Sequence, residues 1–381
     1  MPKGHLYIRQ RGLNTPRRKA GLYLIICLGL VFSVLPTLSW AQIGGKSSMG
    51  FLNSPVGALA SAMGGQNASI ISDDPTLQLS NPALLNDKMH GRLGMSYTPW
   101  FAYNNFGSSY AHHLEESGTT LGGTIVFNNY GKFVGLDAGG NPSTDFTASD
   151  FALVVGAAQA KGNFRLGGNF KFASSSIGGY SAQAIAVDFG AAFVHPKKEL
   201  RIGLVVKNLG FGLTNYTDQS PTLRLPLDVQ AGLTYKLAHM PLRFSITTHS
   251  LNVWDVTYQN PNPLASNDPR TRTNEENNKP FFDQIARRVV IGGEFLLGKG
   301  FNIRAGYNHL INRELKQEQA GGASGFSFGG MMRIKSFEIA YTQAIYHAQG
   351  STGVLTIGID MARIGITKKQ ASATENLPIS N

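Results

Sequence analysis

Residues 164–172 read FRLGGNFKF, and apolar and polar side chains alternate along the whole stretch. One set of alternate positions is apolar or glycine and the other carries two cations: Phe164, Leu166, Gly168, Phe170 and Phe172 against Arg165, Gly167, Asn169 and Lys171. Successive side chains of a β-strand point to opposite faces, so this period of two predicts a strand with one apolar and one polar face. If the apolar face meets lipid, a one-residue slip would turn Arg165 or Lys171 into hydrocarbon at about 2–4 kcal/mol. The polar face must then line an interior.

The same alternation recurs at 228–237 and 354–363. A strand in a soluble sandwich ends after about five or six residues. These runs last about ten residues, which is the length that a tilted strand needs to cross a bilayer. The lengths favour a membrane barrel over a soluble sandwich.

The chain predicts an all-β fold, a transmembrane antiparallel β-barrel of about 14 strands. The predicted strands cover 92–99, 106–114, 119–127, 148–160, 163–173, 180–194, 199–207, 227–237, 241–250, 286–297, 300–309, 324–333, 335–345 and 352–363. The even-numbered connections are tight, and several odd-numbered ones are long: 128–147, 208–226, 251–285 and 310–323. Short turns at one end and long loops at the other are typical of an outer-membrane barrel, whereas a sandwich has no reason to sort its loops in this way.

Residues 1–41 are predicted to be a signal peptide. The basic residues come first and an apolar stretch, 21–38, follows them; the basic residues are Lys3, Arg9, Arg11, Arg17, Arg18 and Lys19. Ser39-Trp40-Ala41 has the small residues of a cleavage site. A transmembrane anchor is the alternative, because about 18 apolar residues could span a membrane. Pro36 and the small residues favour cleavage.

The charge of the chain belongs largely to that segment. The net charge is +11, but residues 1–41 hold six of the 34 basic residues and none of the 23 acidic ones, which leaves +5 for the rest. No basic face remains to indicate nucleic-acid binding. Cys27 is the only cysteine and also lies in this segment, so disulfide and thiolate chemistry are excluded from the mature chain.

Residues 42–91 do not alternate for long and are too apolar for a free tail. Small residues at 56–63 predict a helix that ends at Gly64-Gly65, because glycine suits a helix C-terminus. Asp73-Asp74 before Pro75 predicts a helix N-cap, and Asn81-Pro82 predicts a further short turn. We expect this segment to fold into the barrel mouth as a plug or hatch, with the barrel over 92–366 and a periplasmic tail over 367–381.

A family resemblance is carried by this segment. Its residues are Phe51, Leu52, Pro55, Met63, Gly64, Gly65, Gln66, Asn67, Asp73, Asp74, Asn81, Pro82, Ala83, Leu84 and Leu85. The pattern resembles the N-terminus of the PorQ family of the type IX secretion system and, more distantly, the hatch of FadL-type barrels. Two later stretches also resemble PorQ proteins: 254–258, with Trp254, Asp255 and Tyr258, and 281–294.

The resemblance implies a non-enzymatic scaffold in the outer-membrane lipid of a Gram-negative (Bacteroidota) bacterium. Its implied partners are a PorZ-like surface protein and PorU- and PorV-like proteins, which together remove a cargo's C-terminal signal and attach the cargo to the cell surface. The loop 251–285 is the candidate docking surface, and a disordered loop is the alternative. Its candidate residues are Trp254, Asp255, Tyr258, Phe281, Phe282 and Asp283.

Two other functions stay open. A FadL-like transporter of hydrophobic compounds would need an apolar pocket behind the hatch and a lateral opening. An aqueous porin would need the plug to leave the lumen. Charged side chains on the predicted inner face indicate a mutually neutralising network or an ion-selective pore: Arg165, Lys171, Arg201, Lys207, Lys236, Arg288, Arg304, Asp188, Asp228, Glu294 and Asp360.

No motif predicts catalysis, a cofactor or a metal. Residues 325–329 match the G-x-S-x-G pattern of hydrolases, but they lie in an alternating strand rather than at a strand-to-helix turn. His112 and His113 are adjacent in a strand and face opposite ways, so they cannot share an ion. Asp73-Asp74 lacks the spacing of a calcium loop, and capping is the preferred interpretation.

Overall fold

The computed structural model describes residues 47–100, 103–137, 139–253, 256, 281–298, 300–315, 323–347 and 350–365. The predicted signal peptide, with Cys27, and the predicted tail lie outside the described residues. Fourteen antiparallel strands form a closed barrel in chain order. They are β1 (Arg92–Pro99), β2 (Asn104–Leu114), β3 (Thr119–Phe133), β4 (Phe146–Lys161), β5 (Phe164–Ile177), β6 (Tyr180–Val194), β7 (Leu200–Thr214), β8 (Asp228–Lys236), β9 (Leu242–Thr248), β10 (Val289–Leu296), β11 (Phe301–Asn308), β12 (Phe326–Ile334), β13 (Phe337–His347) and β14 (Gly350–Asp360). The predicted fold class is confirmed.

The first and last strands close the wall. β1 pairs with β14 from Arg92 opposite Asp360 to Tyr97 opposite Leu355. Closure matters because an unpaired strand edge would leave backbone N–H and C=O groups without partners in hydrocarbon. In the described part of the chain, no helix is long and apolar enough to cross a bilayer.

The two faces of the wall have opposite chemistry. Large apolar side chains are exposed on the outside, with Phe189 58% and Leu204 51% exposed. Polar side chains are buried inside, with Gln230 and Thr234 both 0% exposed. Soluble monomers rarely expose apolar surface of this extent, so the outer face is one that lipid covers. The predicted phase of 164–172 is confirmed, because Lys171 is buried inside.

Several strands are longer than their sequence pattern predicts. β3 continues to Phe133 and β4 begins at Phe146, so the loop predicted at 128–147 is too long. The β3–β4 register shifts between Asn129 and Lys132, which breaks the alternation on which the prediction depends. Similarly, β7 runs to Thr214 into the predicted loop 208–226.

The connections differ between the two ends of the barrel. At one end they are short, as predicted, and we call this the turn end; 162–163 and 335–336 are examples. At the other end, the loop end, most are longer and two contain helices that the sequence pattern did not predict: α2 (Phe281–Ala286) and α3 (His309–Leu315). One loop-end connection is short, the Gly178-Gly179 turn.

Residues 47–91 lie inside the barrel, which confirms the plug for these residues. They form α1 (Ala58–Ala62), shorter than the predicted helix at 56–63, and four 3-10 helices: Gly50–Asn53, Pro75–Leu79, Pro82–Leu84 and Asp87–Met89. Seven large apolar side chains of the plug are at most 2% exposed: Leu59, Met63, Ile70, Leu77, Leu84, Leu85 and Met89. The core of this protein is thus formed mainly by the plug and not by the outer side chains of the strands.

Candidate functional site

Four polar side chains fix the path of the plug by capping its short turns. Each accepts a hydrogen bond from a backbone N–H two or three residues further on: Asn67 from Ile70 (2.8 Å), Asp74 from Thr76 (2.9 Å), Asn81 from Ala83 (3.0 Å) and Asn86 from Lys88 (3.0 Å). Such side chains satisfy N–H groups that a short helix leaves without partners. The capping interpretation of Asp73-Asp74 is confirmed, with Asp74 as the cap.

The Asn-Pro-Ala-Leu-Leu stretch joins the plug to itself and to the wall. Asn81 is fully buried, and its Nδ2 donates to the carbonyl of Ala68 at 2.8 Å. Arg165 on β5 donates from Nη2 to the carbonyl of Leu85 at 2.6 Å and from Nε to that of Ala83 at 3.3 Å. A guanidinium thus satisfies carbonyls at the end of the turn, where no helical partner is available.

Glycines line the wall where the plug comes closest to it. A Cβ added at Gly190 would lie under 3.0 Å from Asn81 Oδ1, and one at Gly203 under 3.0 Å from the carbonyl oxygen of Ala68. Real Cβ atoms do not come this close to other heavy atoms. Glycine is therefore required at these two positions by the approach of the plug.

An ion cluster fastens the plug at the turn end. Arg92 on β1 pairs with Asp73 of the plug and with Glu338 on β13, both at 3.0 Å. Arg333 on β12 pairs with the same two carboxylates, at 2.8 Å for Asp73. Asp73, the neighbour of the cap, thus joins the plug to three strands through two cations.

The wall itself is irregular between β6 and β7. The register shifts between Val187 and Phe189, and Asn208 on β7 has a left-handed φ of 59°. The carboxylate of Asp188 accepts the Asn208 backbone N–H at 2.8 Å and pairs with Lys171 Nζ at 2.9 Å. This β-bulge, which we call the wall bulge, therefore has side-chain partners in place of ladder hydrogen bonds.

The start of the plug is attached to the wall bulge. Asn208 Nδ2 donates to Asn53 Oδ1 at 2.7 Å, and Asn208 Oδ1 accepts from Lys171 Nζ at 2.7 Å. On the outer side of the same bulge is a groove of about 350 Å³, which we call the lipid-side groove. It is lined by Phe170, Ile185, Val187, Leu209 and Phe211.

A pocket opens at the loop end, above the start of the plug. We call it the mouth pocket; its volume is about 490 Å³. Its lining comes from the plug and from the ends of β3, β4 and β5, and includes Phe51, Tyr130, Phe133, Phe146, Asp150 and Ile177. Most of these side chains are apolar, and Asp150 is the acidic residue among them.

An apolar cluster connects the mouth pocket with the wall near the bulge. Phe51 lines the pocket and belongs to a buried cluster with Ala173 on β5, Ala184 on β6 and Leu223 from the loop after β7. Small side chains on the strands leave room for Phe51 and Leu223. The mouth pocket, the cluster and the wall bulge therefore follow one another along β5, β6 and β7.

The interior charges form pairs, in agreement with the neutralising network. Glu294 Oε1 accepts from Arg304 Nε at 2.9 Å, and its Oε2 accepts from Arg243 Nε at 2.7 Å. Lys171 and Asp188 form a further pair, and Asp360 lies 3.7 Å from Arg92. The plug fills the lumen between these groups, which disfavours the ion-selective pore.

The candidate docking residues fall into two groups. Trp254, Asp255 and Tyr258 lie outside the described residues. Phe281, Phe282 and Asp283 begin α2 at the loop end, where Phe281 is 58% and Phe282 is 81% exposed. The structure thus places two exposed aromatic side chains in sequence on one helix.

Asp283 fastens α2 to α3. Its carboxylate accepts from Arg287 Nε at 2.7 Å, Arg313 Nε at 3.0 Å and His309 Nε2 at 3.2 Å. Burial acts to raise the pKa of Asp283, but the hydrogen bonds from Arg287 and His309 and the charge of Arg287 outweigh it and lower the pKa to about 2. The carboxylate is therefore ionised at neutral pH, which suits a structural link.

The residues with hydrolase-like or metal-like patterns have structural partners. Ser327 lies in β12 and its Oγ donates to the carbonyl of Ala62 in the plug at 2.9 Å. The ring of His112 packs on His90 at 4.7 Å, whereas His113 Nδ1 lies 2.9 Å from Thr120 Oγ1. No group of three potential metal-ligating side chains occurs within the ranges that the structure describes.

Sequence reasoning missed the mouth pocket and the wall bulge. Tyr130 fell in a predicted loop, and Asp150 and Asn208 each looked like one polar residue among many. The one available indication was Asn128-Asn129-Tyr130-Gly131, where the alternation fails beside a glycine, a pattern that suits a bulge.

The chain is similar to solved structures of outer-membrane barrels. It covers 81% of its length and 98% of the Ralstonia pickettii toluene transporter TbuX at 14% identity, with a TM-score of 0.48. For the deltaS2 mutant of the monoaromatic hydrocarbon channel TodX the values are 80%, 97%, 12% and 0.49, and for a Pseudomonas aeruginosa FadL homologue 80%, 98%, 11% and 0.44. No protein-family model and no curated protein matches the sequence. At these values the activities of the neighbours do not transfer to this chain.

Proposed function

We propose that this protein is a barrel of a Gram-negative outer membrane that admits hydrophobic compounds at its loop end and releases them sideways into the membrane. The observation that carries the proposal is the succession of mouth pocket, apolar cluster, wall bulge and lipid-side groove along β5, β6 and β7. Each part is apolar, and the route avoids the charged interior below it.

The plug gives the route its direction. Straight passage through the lumen is obstructed by buried plug residues such as Leu77 and Leu84, both 0% exposed. The wall is weakest where ladder hydrogen bonds are interrupted, which is at the wall bulge. A compound that leaves there enters hydrocarbon directly, so its apolar surface stays out of water and no energy source is required.

The plug also argues against an aqueous porin. Hydrogen bonds and ion pairs hold it along its length, among them Arg165 to Leu85 at 2.6 Å and Arg92 to Asp73 at 3.0 Å. Breaking these contacts in a buried setting costs far more than one weak surface pair would. A porin would have to break them all.

A cross-link across the wall bulge tests the route. Val187 and Leu209 are register partners on β6 and β7 and line the lipid-side groove. Outward-facing partners in antiparallel strands are close enough for a disulfide, and the chain beyond residue 41 has no cysteine to interfere. The double variant Val187→Cys/Leu209→Cys, oxidised in whole cells, should lose uptake of a neutral apolar probe such as naphthalene and recover it on reduction.

The matched control is Met332→Cys/Ile339→Cys, an outward-facing register pair on β12 and β13 away from the wall bulge. It should form its disulfide and keep uptake. Equal uptake by both oxidised proteins, or uptake no greater than in cells without the barrel, would refute the proposed route.

A second candidate is the attachment role implied by the PorQ resemblance, in which the loop end holds a PorZ-like surface protein with PorU- and PorV-like partners. It is favoured by the exposed aromatic pair Phe281 and Phe282, which Asp283 fixes on α2. Exposed aromatic side chains on a fixed helix are typical of interface hot spots. In a Bacteroidota host, Phe281→Ala/Phe282→Ala should release the surface protein into the medium, while Phe164→Ala at the turn end should retain it. Retention by both variants would reject this candidate.

A further inference from the structure

Asp150 is a buried carboxylate on the wall of the mouth pocket that has hydroxyl partners and no cation. It is 7% exposed. Tyr130 Oη donates to its Oδ2 at 2.6 Å and Ser175 Oγ donates to its Oδ1 at 2.5 Å. Among the described residues, no Lys, Arg or His nitrogen lies within 4.0 Å of it. Lys132, a cation near the end of the same strand as Tyr130, pairs with Asp145 instead, at 2.8 Å.

This arrangement is unusual for a buried charge. Proteins normally pair a buried carboxylate with a cation, because hydroxyl donors replace only part of the hydration that the carboxylate loses. The other interior carboxylates follow this rule, since Asp188 pairs with Lys171 and Glu294 pairs with Arg304. Asp150 is the exception that lines a cavity, so the missing positive charge has room to come from a ligand.

Aromatic rings surround the cavity on the side away from the carboxylate. Phe133 and Phe146 stack with their centroids 5.2 Å apart, and Tyr130 packs against Tyr103 at 4.8 Å. The faces of such rings carry negative electrostatic potential and attract organic cations. The volume of about 490 Å³ is that of a site for a small organic molecule.

We propose that the mouth pocket binds an organic ammonium ion with an apolar body, the ammonium group directed at Asp150 and the body against Phe133 and Phe146. This names a substrate class for the pocket and rests on the proposed function for the step after binding. A metal ion fits less well, because one carboxylate and aromatic rings do not supply the six to eight oxygen ligands of calcium or the octahedral set of magnesium.

The test compares two soluble probes of one size. Benzylammonium and benzyl alcohol share the aromatic body, and only the first is charged at pH 7. Binding is measured by isothermal titration calorimetry on the full barrel in non-ionic detergent. Wild type should bind benzylammonium at least about tenfold more tightly than benzyl alcohol, because only the cation meets an uncompensated carboxylate.

Asp150→Asn keeps the shape and the acceptor for Tyr130 but removes the charge. It should lose about tenfold or more in benzylammonium affinity and leave benzyl alcohol unchanged. The control Asp145→Asn changes an exposed carboxylate near the same pocket, already paired with Lys132, and should bind both probes as wild type does. Equal benzylammonium affinity in Asp150→Asn and wild type, no binding by wild type, or no preference for the cation would each overturn the proposal.

A second variant covers the case in which Asp150→Asn does not fold, as judged by a heat-modifiable band on gels. Phe133→Leu keeps an apolar wall and removes a ring face, and should weaken benzylammonium several-fold more than benzyl alcohol; an equal effect on both probes would count against the proposal. The two proposals fail separately. Naphthalene uptake without benzylammonium binding overturns only the ammonium site, and binding without uptake overturns only the route.

Discussion

Asn208 and Asp188 face each other across a break in the β6–β7 ladder, and the backbone N–H of Asn208 donates to the side chain of Asp188 at 2.8 Å. A carboxylate thus takes the place of the strand carbonyl that a regular ladder would supply. Lys171 neutralises it, and Asn53 of the plug bonds to the Asn208 side chain. The irregularity is therefore stabilised by specific contacts and lies where the plug begins.

The Asp188 carboxylate should be essential to the stability of this region. In Asp188→Asn, Lys171 keeps a buried charge without its anion, and loss of one partner of a buried pair costs about 3–5 kcal/mol. Urea unfolding in detergent should show a lower midpoint for the variant. Asp218→Asn, in an exposed loop, should match wild type. Equal midpoints for both variants would show that the pair contributes nothing to stability.

The fit between plug and wall should be intolerant of one methyl group. Gly203→Ala brings a Cβ against the backbone of Ala68, so the plug must shift, and such overpacking costs about 1–3 kcal/mol. Its measure is the melting temperature, by circular dichroism. The control is Gly123→Ala, where the new Cβ meets nothing within 4 Å. A melting temperature for Gly203→Ala equal to that of the control would contradict the close approach.

Asn81 should hold the plug closed. Asn81→Ala leaves the Ala68 carbonyl and the Ala83 N–H without their buried partner, at about 1–3 kcal/mol for each unsatisfied group. Loosening of the plug should raise the single-channel conductance in planar bilayers above that of wild type. Asn163→Ala, in an exposed turn, serves as the control. Unchanged conductance in Asn81→Ala would mean that other contacts alone close the lumen.

The link between α2 and α3 should fail only in strong acid. The pKa of Asp283 is lowered from 3.8 to about 2, so its contribution to stability is complete above about pH 4 and is lost as the pH falls through 2. Protease cleavage near residues 281–288 at neutral pH should therefore be slow in wild type and faster in Asp283→Asn. Pepsin should cleave wild type there more readily as the pH falls from 4 to 2. Equal cleavage of the two proteins at neutral pH would contradict the role of Asp283.

The strands and the phase of the wall could be predicted from the sequence to a large degree. Alternation at 164–172 is a local property, and the cost of a cation in hydrocarbon leaves only one orientation for Lys171. The plug could be predicted as well, because Asp74-Pro75 and Asn81-Pro82 cap turns through residues two positions away. The extra length of β3 could not, since its bulge after Asn129 interrupts the only pattern that marks a strand.

The sequence by itself determined a closed wall with lipid outside and polar groups within, because the alternation that encodes it is read from neighbouring residues. Only the tertiary structure decided where a ligand could bind and leave. Asn53 meets Asn208 across a sequence separation of 155, and Asp150 meets Ser175 across 25, so no local pattern announces either contact. Gly190 and Gly203 show the same limit, because their lack of a side chain has a meaning only once the plug lies against them.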